Sequence, residues 1–218
     1  MVEKAKQTGN PLTRESLYAC GKDIEYLPGV EGWFERIDRY AQEAGVEVEH
    51  YVLSSGLKEI IEGTSIAKYF KKIYACEFLY KDGQALWAKM AVNYTNKTQF
   101  IFKINKGVES VYDSTQVNRY IPEDDRPVPF KHMIYVGDGT TDIPCMRLVK
   151  NFGGHSIAVF NPEQESGRES LGSLIHDNRV NHICPADYTE GGEMDRVVKM
   201  IIDKMSLDDK LEKMEIGK

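Results

Sequence analysis

The chain has no excess of positive charge: 28 Lys and Arg stand against 34 Asp and Glu, for a formal net charge of -6. A general nucleic-acid binder carries a basic face, so that class is set aside. A local cationic cluster can still oppose the overall sign and hold a phosphate. The cysteines are few and scattered: Cys20, Cys76, Cys145 and Cys184 form no C-x-x-C pair. They read as reduced thiols in a cytoplasmic protein. No apolar run approaches the roughly 18 residues that a membrane span needs. The stretch Met1-Val2-Glu3-Lys4-Ala5-Lys6-Gln7 has no apolar centre of the signal-peptide kind. Without such a signal, Asn93-Tyr94-Thr95 and Asn96-Lys97-Thr98 read as chance matches to the glycosylation pattern. Internal repeats and low-complexity segments are also missing.

What remains is an ordinary globular composition, 41% hydrophobic and 28% charged over 218 residues. That suffices for one α/β domain with room for a small appendage. Residues 1–26 are polar, with a helix start near Pro11-Leu12-Thr13 and no central-strand pattern. Trp33, Phe34, Ile37, Tyr40, Ala41 and Ala44 recur at helical spacing, and Gly45 ends that helix. Alternation predicts a strand from Val46 to Ser54, followed by Ser55-Gly56 and a helix over 57–62. A strand over 70–75 precedes a hairpin, a flap near 77–90, with Asp82-Gly83 at its turn. A helix is predicted over 99–105, a loop over 113–129 and a strand over 133–136. Pro144 stands near the start of the next helix. Further on come a buried strand over 156–160, a loop over 162–170 and an edge strand over 182–184. An amphipathic helix over 193–205 closes the chain, and a charged tail over 206–218 is expected to fray.

Three polar clusters stand at the ends of strands or the starts of helices. Ser54-Ser55-Gly56 presents a hydroxyl and backbone N–H groups to an anion, or else is a plain helix cap. Lys97 opposes the dipole of the helix it opens unless an anion sits there, or else is a solvated surface lysine. Asp138 and Asp142 follow an apolar strand ended by Gly137, where open α/β sheets bind ligands. The bland alternative is a βα turn with a capping Asp.

The order and spacing of Ser54, Lys97 and Gly137-Asp138-x-x-x-Asp142 resemble the haloacid dehalogenase-like (HAD) hydrolases, in particular the phosphoserine-phosphatase-like branch, over about residues 27–160. The resemblance implies a Rossmann-like parallel sheet flanked by helices. It implies Mg²⁺-dependent hydrolysis of a small phosphorylated metabolite through an aspartyl-phosphate. In those roles Ser54, Ser55, Gly56 and Lys97 bind phosphate, Asp138 and Asp142 serve the metal, and Ser54, Lys97 and Asp142 act in catalysis. All are expected at the carboxyl edge of one sheet. Thr141 stands where many relatives carry Asn, which removes a substrate contact found there.

The family's first motif, an apolar strand ending Asp-x-Asp-x-Thr, is not found upstream of Ser54. Its absence takes away the nucleophile, the general acid and the central strand. Residues 1–26 then read as the remnant of a helical cap, and 27–205 as the core. The expected chain is inactive alone. A non-catalytic phosphate-binding or regulatory remnant, and an unrelated α/β enzyme whose turns imitate the motifs, are the competing readings.

Overall fold

Period-two and helical patterns alternate along this chain, and the elements they produce are both parallel and antiparallel. The computed structural model describes residues 2–10, 12–110, 113–163 and 167–216. In chain order its first elements are α1 (Val2–Gln7), α2 (Arg14–Gly21), α3 (Val30–Glu43), β1 (His50–Leu57), α4 (Lys58–Glu62), β2 (Phe70–Lys81) and β3 (Gln84–Met90). There follow α5 (Lys97–Asn105), α6 (Ser114–Asn118), β4 (Ile134–Gly137), α7 (Ile143–Asn151), β5 (His155–Phe160), α8 (Gly167–His176), β6 (His182–Pro185) and α9 (Glu193–Ile216). The chain divides into two units, Met1–Tyr26 with Glu49–Lys97 and Leu27–Val48 with Thr98–Lys218. The class is α/β, with helices flanking sheets that contain parallel strands. Among the described residues, no helix is long and apolar enough to cross a membrane.

The first unit is built on β2. Its first half pairs parallel with β1 and its second half antiparallel with β3, in the order β1-β2-β3. The reversal is made at Asp82 and Gly83, both at positive φ (50° and 77°). That is the two-residue turn whose twist suits a hairpin. Thr13 caps α2: its Oγ1 accepts from the Ser16 N–H at 3.0 Å, and the Ser16 hydroxyl oxygen accepts from the Thr13 N–H at 3.0 Å. The Leu12 carbonyl accepts from the Ala85 N–H at 2.8 Å, which ties this segment to β3. Pro11, where the sequence also signals the helix start, lies outside the described residues. Glu59 of α4 is fully buried and accepts from the Phe78 N–H (3.1 Å) and the Tyr80 hydroxyl (2.8 Å), holding α4 to β2.

The second unit is a parallel sheet in the order β4-β5-β6. Central β5 is buried from Ser156 to Val159, the near-continuous run expected of a parallel strand covered on both faces. Ile157 and Val159 point to one face, where they pack with Trp33, Ile37 and Ala41 of α3 and Met194, Val198, Ile201 and Ile202 of α9. Ala158 points to the other and meets Met146 of α7 and Leu174 of α8.

Three sequence expectations shift. Val46 and Val48 are not in β1. Gly45 (φ 79°) turns the chain back, the Val46 N–H donates to the Ala41 carbonyl at 2.9 Å, and both valines pack against the α3–α9 core. The segment 113–129 is not all loop: Asp113 caps α6 through the Thr115 and Gln116 N–H groups at 2.9 and 3.0 Å. The charged stretch after Met205 continues α9 to Ile216 rather than fraying, because its charges have partners. Lys204 reaches Asp208 at 2.6 Å, Lys131 reaches Glu212 at 2.7 Å and His132 reaches Asp209 at 2.9 Å. Residues 164–166 of the expected 162–170 loop, and residues 217–218 of the tail, lie outside the described residues, whereas α8 already begins at Gly167.

An ionic cluster joins the apolar contact between α3 and α9. Asp195, only 1% exposed, accepts from Arg36 (3.0 Å), Lys199 (2.8 Å) and the Gly191 N–H (3.0 Å). Burial alone would raise its carboxyl, but the bonds from Lys199, the Gly191 amide and Arg36 outweigh that and hold it below the usual range. Asp195→Ala leaves Arg36 and Lys199 without their shared anion and is expected to cost about 3–5 kcal/mol, read by urea denaturation. Because the folded carboxyl is depressed, this stability is present above about pH 4, the unfolded value, and is lost as pH falls through the lower folded value. An acid denaturation curve should therefore flatten in the variant.

Candidate functional site

The polar residues expected at the carboxyl edge of one sheet belong to two: Ser54, Ser55 and Gly56 lie in β1 of the β1-β2-β3 sheet, whereas Asp138 and Asp142 follow β4 of the β4-β5-β6 sheet, because the described strands form two three-stranded sheets rather than one. In the first, Leu53 pairs with Tyr74 and Leu57 with Cys76, so Ser54, Ser55 and Gly56 stand opposite Ala75 alone. Three residues against one make a bulge that lifts Ser54–Gly56 out of the ladder at the strand's carboxyl end. Ser54 Oγ accepts from the Gly56 N–H at 2.9 Å, and the Cys76 thiol donates to the Ser55 carbonyl at 3.4 Å. The cap of α4 is Leu57, with no side-chain cap bond. Ser54 and Ser55 are therefore not helix caps.

Lys97 is the first residue of α5 and is buried, at 5% exposure. It is not a solvated surface lysine. The turn before it is preset by side chains: the Asn93 N–H donates to Asn96 Oδ1 at 2.8 Å, and the Thr95 N–H donates to Asn93 Oδ1 at 2.9 Å. The Lys97 N–H itself donates to the Asn93 carbonyl at 3.0 Å.

In the second unit, β4 delivers Asp138 to the carboxyl edge of the β4-β5-β6 sheet, where it is exposed. A single 3₁₀ turn, Thr140–Asp142, then leads into α7, with Pro144 tolerated in its first turn. Asp142 occupies the cap position of α7 yet makes no side-chain cap bond. It is 6% exposed, and its Oδ1 accepts from the Tyr135 hydroxyl at 2.6 Å. The bland reading of a capping Asp does not describe it. The close approach depends on Gly137, since a Cβ there would lie 2.6 Å from Asp142 Cβ and 2.7 Å from Met146 Cε.

Two aromatic residues complete this edge, and sequence reasoning passed over both as strand or loop residues. Burial pushes the Tyr135 phenol far above its ordinary range, and the Cys145 thiol and Asp142 beside it add to the effect. Tyr188, in the loop after β6, is pushed up to about 12, chiefly by burial and then by the Asp138 charge. Its ring meets Trp33 edge-on, with centroids 5.2 Å apart. The signal that could have found Tyr135 is its position two residues before Gly137, on the same strand face.

Asp138 and Asp142 offer hard oxygen donors of the kind Mg²⁺ takes, usually one or two carboxylates completed by water and phosphate. Among the described residues, no group of three or more His, Cys, Asp or Glu is placed to hold a metal. Two carboxylates by themselves leave most of the six positions of such an ion to water and other oxygens.

No family model matches the chain. No solved structure matches it. It is 28% identical over 204 residues to an uncharacterized protein of Borreliella burgdorferi, a match covering 84% of this chain and 68% of that protein.

The crowding at Gly137 gives a direct check on this turn. Gly137→Ala is expected to destabilise the second unit by about 1–3 kcal/mol, because Asp142 Cβ cannot swing away as a long side chain would. Urea denaturation reads the loss, and Gly191→Ala, where the added Cβ meets nothing within 4 Å but φ is 75°, serves as a purely backbone comparison.

Proposed function

We propose that this chain forms most of a HAD-type phosphatase core, which hydrolyses a small phosphorylated metabolite with Mg²⁺ once a further strand bearing the nucleophilic carboxylate is supplied. The observation that carries the reading is the pair of open sheet edges. Among the described residues β1 pairs only with β2, and β4 only with β5. None of the eight residues of β1 is buried, and Val136 of β4 is 37% exposed. Parallel strands are ordinarily interior and covered, so each edge is suited to one more strand. The two edge strands are also the ones that carry Ser54, in β1, and lead into Asp138, after β4.

In this reading the residues act as follows. The Ser54 hydroxyl already accepts from the Gly56 amide, so its own proton is the one to donate to a phosphoryl oxygen. Lys97 offsets charge on the phosphate and on the attacking carboxylate. Asp138 is the ligand for Mg²⁺, and Asp142 holds its surroundings in place. The ion itself supplies charge neutralisation on the phosphoryl oxygens. The attacking carboxylate and the acid come from the added strand.

The isolated chain is expected to show no hydrolysis of p-nitrophenyl phosphate above background, since loss of a covalent nucleophile costs on the order of 10⁴ to 10⁶ in rate. Co-expression with a segment carrying an apolar strand and Asp-x-Asp-x-Thr should give Mg²⁺-dependent turnover, and Asn at the first Asp of that segment should abolish it. Turnover by the unextended chain that Asp138→Asn removes would overturn the assignment of the nucleophile. The chain alone should also bind Mg²⁺ weakly by calorimetry, and micromolar binding that survives Asp138→Asn would contradict the metal assignment.

A further inference from the structure

We propose that Tyr135 is a positioning residue for Asp142: its hydroxyl holds the carboxylate in one rotation and so sets which oxygen faces the turn. The inference rests on the reading of the Asp138–Asp142 turn given above. Tyr135 and Gly137 are two apart on β4, so they share a strand face. Asp142 folds back onto that face, its Cβ lying 2.6 Å from where a Gly137 Cβ would be. Glycine thus makes the room, and the tyrosine ring beside it delivers a hydroxyl to Oδ1 at 2.6 Å, the short distance of a phenol bonded to a carboxylate.

The second oxygen is turned the other way. A Cβ on Gly139 would lie 3.9 Å from Asp142 Oδ2, so Oδ2 is directed at the turn that begins with Asp138. The tyrosine cannot drift, because its ring packs against the cluster of Met146, Ala158, Leu174 and Val180. Fully buried Cys145 interacts with the same hydroxyl. A phenol suits this role because its side chain has only two rotatable torsions. Its body is apolar enough to sit in the core while its tip makes one bond. Asp138 is exposed, while buried Asp142 is set from behind.

The test uses the whole chain, labelled with ¹³C at the aspartate carboxyls and observed by NMR without metal. The Asp142 and Asp138 signals are assigned by their loss in Asp142→Asn and Asp138→Asn. In the unmodified chain the Asp142 carboxyl should show a hydrogen/deuterium isotope shift from a bonded hydroxyl. Tyr135→Phe should remove that shift, move the Asp142 signal and leave the Asp138 signal in place. Mg²⁺ alone is then titrated. Tyr135→Phe should weaken its binding on the order of tenfold, as loss of a partner behind a metal site does, and should add nothing in the Asp142→Asn background. A missing isotope shift, an unmoved Asp142 signal, or an equal loss of Mg²⁺ affinity in both backgrounds overturns the proposal. If the chain ignores Mg²⁺ while the Asp142 signal still responds to Tyr135→Phe, the metal reading of the turn fails and the positioning role stands.

Discussion

A parallel strand has no hairpin to fold against and must be covered on both faces, and β5 meets that constraint for the second unit. Four consecutive residues, Ser156 to Val159, are buried, and helices on either side cover them. The α3 and α9 faces meet at Ile157 and Val159, and the α7 and α8 faces at Ala158 and the residues around it. Because β5 is fixed this firmly, its neighbour β4 is held in register from Ile134 to Gly137. The turn that carries Asp138 and Asp142 is therefore built on a rigid strand end rather than on a loose loop.

Both units hold buried polar atoms without a hydrogen-bond partner, Glu59 Oε2 in the first and Asn105 Oδ1 and His155 Nδ1 in the second. In the second, the buried carboxylates have partners from within the unit, Arg36 and Lys199 at Asp195 and Tyr135 at Asp142. In the first, a bulge raises Ser54, Ser55 and Gly56 out of the ladder, and a fully buried Glu59 keeps one oxygen, Oε2, without a hydrogen-bond partner. An isolated unsatisfied oxygen of this kind costs stability and has to be offset elsewhere in the unit. The first unit also leaves β1 half-covered. The second unit likewise ends in an edge strand, β4, whose Val136 is exposed.

The bland roles available to the singled-out residues were helix capping for Ser54 and Asp142 and solvation for Lys97. None of these describes them: α4 is capped without a side chain, Asp142 faces a tyrosine, and Lys97 is buried. Tyr135 stands beside Asp142 and Tyr188 beside Asp138, and neither tyrosine carries a sequence pattern of its own.

Much of the fold was legible because its periodicities are local. The α3 stripe, the Asp82-Gly83 hairpin, the apolar runs of β4 and β5 and the proline at the start of α7 all follow from residues a few positions apart, through backbone sterics and the 3.6 and 2.0 repeats. Where the structure departs, the cause is distant in sequence. Val46 and Val48 alternate like a strand but cover the α3–α9 core, and the charged end of α9 stays helical because Lys131 and His132, far upstream, pair with Glu212 and Asp209. The same holds at the turn. The residues Gly137, Asp138 and Asp142 were readable as a motif, but the rotation of Asp142 was not, because it is set by a hydroxyl on the preceding strand and by the space that glycine leaves. Sequence by itself determined which elements form and where the polar groups stand along them. Tertiary structure decided which of those groups are buried and what each one faces, because burial and partners depend on residues that only folding brings together.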